Sequence, residues 1–142
     1  MGRPNKKDGD MRFMLMQNYG GVESDCAPMY EWTPAEVRTH IAFQQTLNQR
    51  LEELGELIDA QGLAGPDEAR FVVSDGTTPL VTDGPFAESK ELLAGYRLVE
   101  VDSPERAVAI AAEMSAAPGQ GGKPIRQRIE VRQIMGAPDP EM

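Results

Sequence analysis

The sequence predicts an α+β fold in which two helices lie on one face of an antiparallel sheet, and three observations predict it. Two segments carry helix-start chemistry, Thr33-Pro34-Ala35-Glu36 and Ser103-Pro104-Glu105. Alternating apolar and polar residues fill the stretches before, between and after them, most clearly over residues 125–134. The resulting order of strand, helix, strands, helix, strand suits helices gathered on one side of a sheet. At 142 residues the chain fits a single domain.

Each element has its own warrant. Residues 11–18 read as a strand with Phe13 and Leu15 on one face and Arg12, Met14 and Met16 on the other, apolar enough for the middle of a sheet. Residues 19–31 hold Gly20-Gly21, Pro28 and scattered acids without a period, so they read as a loop long enough to act as a lid. The first helix follows. Thr33 caps it, Pro34 takes its first position and Glu36 completes a capping box. Its apolar stripe is Val37, Ile41, Phe43, Leu47, Leu51 and Leu54, and Gly55 is placed to end it in the left-handed conformation.

Residues 56–63 and 69–74 read as the next strands, separated by the Ala64-Gly65-Pro66-Asp67 turn. Asp75-Gly76 signals a tight turn, so Leu80-Val81-Thr82 pairs back as a hairpin and delivers the chain to Asp83. Residues 93–101 resume as a strand through Tyr96, Leu98, Val99 and Val101. The second helix, capped by Ser103, has a thin stripe of Ala107, Val108, Ile110, Ala111 and Met114. Residues 118–124 cannot continue it. The last strand puts Ile125, Gln127, Ile129, Val131 and Gln133 on one face, and Arg126, Arg128, Glu130, Arg132 and Ile134 on the other. Residues 1–10 and 136–142 read as tails around a domain of residues 11–135.

With 40% apolar and 26% charged residues the composition is that of a soluble globular protein, and no apolar run approaches the roughly 20 residues of a membrane span. The N-terminal stretch lacks the apolar region of a signal peptide, so a cytoplasmic location is expected. A formal charge of −9 opposes binding to nucleic acid, which rests on lysine and arginine neutralising phosphates. Cys26 is the only cysteine, which excludes an intrachain disulfide, and with no histidine near it in sequence a nucleophilic role is not expected. Met14 and Met16 read as adaptable packing. No Gly-rich phosphate loop, nucleophile elbow or metalloprotease helix is present, and neither a metal site nor a cofactor is expected.

The most informative stretch is residues 82–91, Thr-Asp-Gly-Pro-Phe-Ala-Glu-Ser-Lys-Glu. Together with Gly95-Tyr96 and Ile129-Glu130-Val131-Arg132, it resembles the DGPF branch of the YCII-related proteins over nearly everything but the tails. That resemblance implies a ferredoxin-like fold of the dimeric α+β barrel type. Dimerisation also suits the sheet itself, since its uncovered face is mixed apolar and charged and a second copy would cover it. The resemblance further implies a regulatory alternative, because DGPF proteins resemble partners encoded beside extracytoplasmic-function sigma factors. Parts of the family carry a His and an Asp proposed as a catalytic pair. Here the matching positions fall near Phe43 and Ala117, a departure from that pattern.

Asp83-Gly84-Pro85 has a structural reading, in which Asp bonds downstream amides, Gly permits positive φ and Pro fixes the next dihedral. It also has a functional one. In that reading the turn presents Asp83 and Glu88 to a dimer cleft as general acid and base, with Lys90, Glu91, Tyr96 and Arg132 binding a small anionic or polar ligand. Asp83, Glu88 and Glu91 could alternatively hold a hard cation. Arg126, Arg128 and Arg132 read as a solvated strand face or as an anion-binding row. His40, the sole histidine, reads as an ordinary residue of an amphipathic helix. Two functions therefore stand side by side: a small-molecule enzyme or binder, and a non-catalytic regulatory protein.

Overall fold

Strand β1 (Met11–Val22) runs through the middle of a four-stranded antiparallel sheet in a computed structural model, which describes residues 10–22, 29–83 and 93–137. Its neighbours are β5 (Leu93–Val101) and β6 (Gln127–Gln133), and β2 (Leu57–Gly62) lies outside β5, giving the order β2-β5-β1-β6. Helices α1 (Pro34–Glu53) and α2 (Pro104–Ser115) alternate with these strands as βαββαβ, the ferredoxin-like arrangement. The fold is α+β, as the sequence predicts.

β1 reaches four residues beyond its predicted end. The register shifts after Gln17 on both sides, and Val22 still pairs with Gln127, so the segment at Gly20-Gly21 continues the strand. Glycine pairs signal turns, but they also suit the irregularities that let a strand absorb a register change. The lid expectation is thus removed for residues 19–22, and a short helical turn occupies Met29–Glu31. Residues 23–28, Cys26 among them, lie outside the described residues.

Both helices begin as their sequences dictate. Thr33 Oγ1 accepts from the Glu36 amide at 3.1 Å, Glu36 Oε1 accepts from the Thr33 amide at 2.8 Å, and Glu36 Oε2 reaches across to accept from the Gly121 amide at 2.7 Å. Ser103 caps α2 by accepting from the Arg106 amide, and Gly55 adopts φ 73°, where other residues are strained. The stripe of α1 needs correction. His40, Leu47 and Leu51 are buried and Phe43 packs partly against the core, whereas Ile41 and Leu54 are 47% and 58% exposed. Residue 41 is a full step of roughly 100° around the helix from residue 40, and Leu54 falls beyond the last turn. In α2, Val108 faces outward while Ala107, Ile110, Ala111 and Met114 are buried.

The core lies between the helices and one sheet face. Leu15, Leu47, Leu51, Val99, Ile110 and Met114 are fully buried, each contributing about 1.5–3 kcal/mol from removal of apolar area from water. The opposite sheet face carries Arg12, Met14 and Met16 from β1, Tyr96, Leu98 and Glu100 from β5, and Glu130 and Arg132 from β6. Arg12 Nε donates to Glu100 Oε1 at 2.8 Å there.

β3 (Arg70–Ser74) and β4 (Pro79–Asp83) pair as predicted, but as a two-stranded sheet of their own. Asp75 closes the hairpin by accepting from the Thr77 and Thr78 amides at 2.9 and 3.1 Å, and Gly76 takes φ 95°. Apart from half-buried Phe71, the residues of both strands are exposed.

Candidate functional site

Along β5 the residues facing the helices are Gly95, Arg97, Val99 and Val101. Val99 and Val101 join the core, but two residues earlier the same phase delivers a guanidinium. α1 changes in step, because the stripe that supplies Leu51 and Leu47 becomes Gln44 and His40 toward the helix start. Between these two polar ends lies a pocket of about 220 Å³. Gln17, His40, Gln44, Asn48, Gln61 and Tyr96 wall it around Arg97, with Ala60 and Gly62 from β2. Gly95 brings the strands close at this point: a Cβ there would meet the Gln61 carbonyl oxygen at 2.9 Å and Gln17 Oε1 at 3.3 Å.

One chain of hydrogen bonds sets the orientation of the polar wall. His40 Nδ1 lies 2.8 Å from the Pro118 carbonyl oxygen, which can only accept, so Nδ1 carries the proton and donates. In the neutral ring that leaves Nε2 with a lone pair, and Gln44 Nε2 donates to it at 3.3 Å. The Gln44 amide is thereby turned so that its Oε1 accepts from Arg97 Nη2 at 2.8 Å. Arg97 Nη2 also donates to the Gln44 carbonyl at 3.3 Å, and Nε donates to Asn48 Oδ1 at 2.7 Å. Trp32 stands edge-on to the His40 ring with centroids 5.3 Å apart.

Arg97 is only 4% exposed, and among the described residues no carboxylate lies within ion-pair range of it. Burial pushes its guanidinium down to about 10, so it remains cationic at neutral pH. A buried cation surrounded by neutral acceptors is costly to the fold and attractive to an anion. Chemically, the pocket combines a cation, amide donors and acceptors, and an imidazole whose tautomer is fixed.

The model of the YCII-related domain matches residues 11–122 of this chain. The chain belongs to the YCII-related family. A search of curated proteins returned no match. The YCII-related match runs from β1 past the end of α2 and includes every residue that lines the pocket. Phe43 and Ala117, near which the resemblance sets the His and Asp carried by parts of the family, are apolar, Phe43 against the core and Ala117 fully buried. His40 sits about one helical turn before Phe43, and it bonds the carbonyl of Pro118, the residue after Ala117.

Of the residues singled out as a site in this YCII-related sequence, the described ones, Asp83, Tyr96 and Arg132, lie on three different strands. Asp83 ends β4, its side chain 84% exposed and 3.9 Å from Arg70 Nε. Glu88, Lys90 and Glu91 lie outside the described residues. Tyr96 borders the pocket, and its hydroxyl lies 3.5 Å from Asp59 Oδ2. Arg132 is on the outer sheet face beside Glu130 at 3.8 Å. Tyr96 and Arg132 share that face on opposite sides of β1, joined by no hydrogen bond. Arg126 takes φ 55° ahead of β6 and, with Arg128, edges a more open groove of about 560 Å³ between α2 and β6. Among the described residues, no cluster of three His, Cys, Asp or Glu side chains is placed to hold a metal. No described helix is long and apolar enough to cross a membrane.

Sequence reasoning missed Arg97, Gln44 and Asn48 and gave His40 no role beyond that of an ordinary helix residue. A signal was present for each. Arg97 shares the parity of Val99 and Val101, a charged residue at a core phase of its strand. His40, Gln44 and Asn48 recur every four residues beside the apolar stripe of α1.

Proposed function

We propose that this protein, a member of the DGPF branch of its family, is a small-molecule enzyme or binder whose ligand occupies the pocket between α1 and the β2–β5 edge. The observation that carries this reading is Arg97, a buried guanidinium lining an open pocket with no carboxylate opposite it among the described residues. Ligand sites concentrate a few convergent polar groups in a concave wall, and Gln44, Asn48 and His40 supply them here. The chain acts as a homodimer in this reading, each copy covering the outer sheet face of the other.

Thermal unfolding of the protein against small carboxylates, phosphates, amines, sugars and divalent metals tests the pocket, since a ligand of the folded state raises the midpoint by mass action. A stabilising compound is expected, and its effect disappears in Ala60→Phe, where a ring fills the pocket from β2. A hit that survives Ala60→Phe, or no hit in any class, removes the reading.

A regulatory reading draws on a separate observation. Val72, Val73, Leu80 and Val81 of the hairpin are 52–69% exposed, an apolar surface suited to a protein partner such as a sigma factor. Failure of the ligand screen would favour it.

A further inference from the structure

The donors of Arg97 are unequally engaged. Nε and Nη2 are taken up by Asn48 and Gln44, while Nη1 meets no acceptor among the described residues. Yet no buried side-chain nitrogen or oxygen of the described residues lacks a partner, so Nη1 is open to the pocket that Arg97 lines. Asn48 Oδ1 is held by Arg97 Nε, which leaves the Asn48 amide nitrogen as a second donor on the same wall.

We propose that the ligand of this pocket is a small, singly charged carboxylate that accepts a hydrogen bond from Arg97 Nη1. The assignment rests on the reading of the pocket as the ligand site. One uncompensated cation balances one negative charge. The guanidinium edge through Nε and Nη2, which would grip a phosphate in two-pronged fashion, is already occupied by Asn48 and Gln44. Size agrees. The pocket, at about 220 Å³, is somewhat larger than the roughly 150 Å³ cavity that accepts benzene in another protein. Acids up to about the size of benzoate therefore fit.

Calorimetric titration of the full chain with acetate, propionate and benzoate, their three amides, and inorganic phosphate tests the assignment. The variant Asn48→Asp keeps the oxygen that accepts from Arg97 Nε but sets a carboxylate beside the guanidinium, neutralising the site from within. At least one acid is expected to bind at least about tenfold more tightly than its amide, the scale of a charge-assisted hydrogen bond. Asn48→Asp is expected to weaken that acid by about tenfold or more with no fall in the thermal midpoint. Amides that match their acids, phosphate that binds more tightly than every acid, or acid binding unchanged in Asn48→Asp would overturn the proposal. A neutral or cationic ligand blocked by Ala60→Phe would overturn it too, while leaving the pocket as the ligand site. A pocket that takes no ligand at all ends both readings.

Discussion

At the scale of single residues, the clearest effect belongs to Glu36. Its carboxyl is held below its ordinary value of 4.5, chiefly by the Gly121 amide and then by the Thr33 amide. A carboxyl with a depressed value in the folded state stabilises the fold above its unfolded value, and loses that contribution as the pH falls through the folded one. Glutamine keeps a capping box but carries no charge. Urea unfolding of wild type and Glu36→Gln is therefore expected to show the wild type more stable at neutral pH, with the gap closing as the pH is lowered below 4.5; a gap that persists in acid would show that the charge is not its source. The capping half of this was legible, because Thr33-Pro34-Ala35-Glu36 is a local pattern. The reach to Gly121 was not, since nothing in either segment announces the other.

At the scale of elements, β5 is the strand on which core and site meet. It carries Val99 and Val101 into the core and Arg97 into the pocket, and Gly95 lets β1 and β2 close around its start. Because the nearest obstruction to a Cβ at Gly95 is the Gln61 backbone, a side chain cannot step aside to make room. Gly95→Ala is expected to destabilise the protein by about 1–3 kcal/mol, the usual cost of overpacking, and denaturant unfolding would measure it. A loss within experimental error would mean that β2 shifts freely. The hairpin behaves differently. Its turn was readable from Asp75-Gly76, but whether its strands joined the main sheet depended on partners that the turn does not specify. Helix α1 shows a related limit: the apolar stripe gave its core half, but nothing local marked the polar residues at 40, 44 and 48 as a site until the sheet was laid against them.

At the scale of the whole molecule, the outer sheet face is the open question of packing. Met14, Met16, Tyr96 and Leu98 lie half-buried on it in the single chain, beside the Arg12–Glu100 and Glu130–Arg132 pairs. The homodimer proposed above predicts twice the chain mass in sedimentation equilibrium at micromolar concentration. Leu98→Asp, which puts a charge at the centre of that face, should give the mass of one chain with the fold intact by circular dichroism. A wild-type monomer would remove the dimer. By itself the sequence determined the α+β class, the caps of both helices, the phase of the first and last strands and the family, because each of these is written in local spacing of 2 or about 3.6 residues or in a contiguous motif. Only the tertiary structure decided the site. Arg97, His40, Gln44 and Asn48 stand up to 57 residues apart along the chain, from 40 to 97, and become one pocket when α1 packs across β5. Local periodicity says which way a side chain points; what it meets there depends on the partner element that the fold supplies.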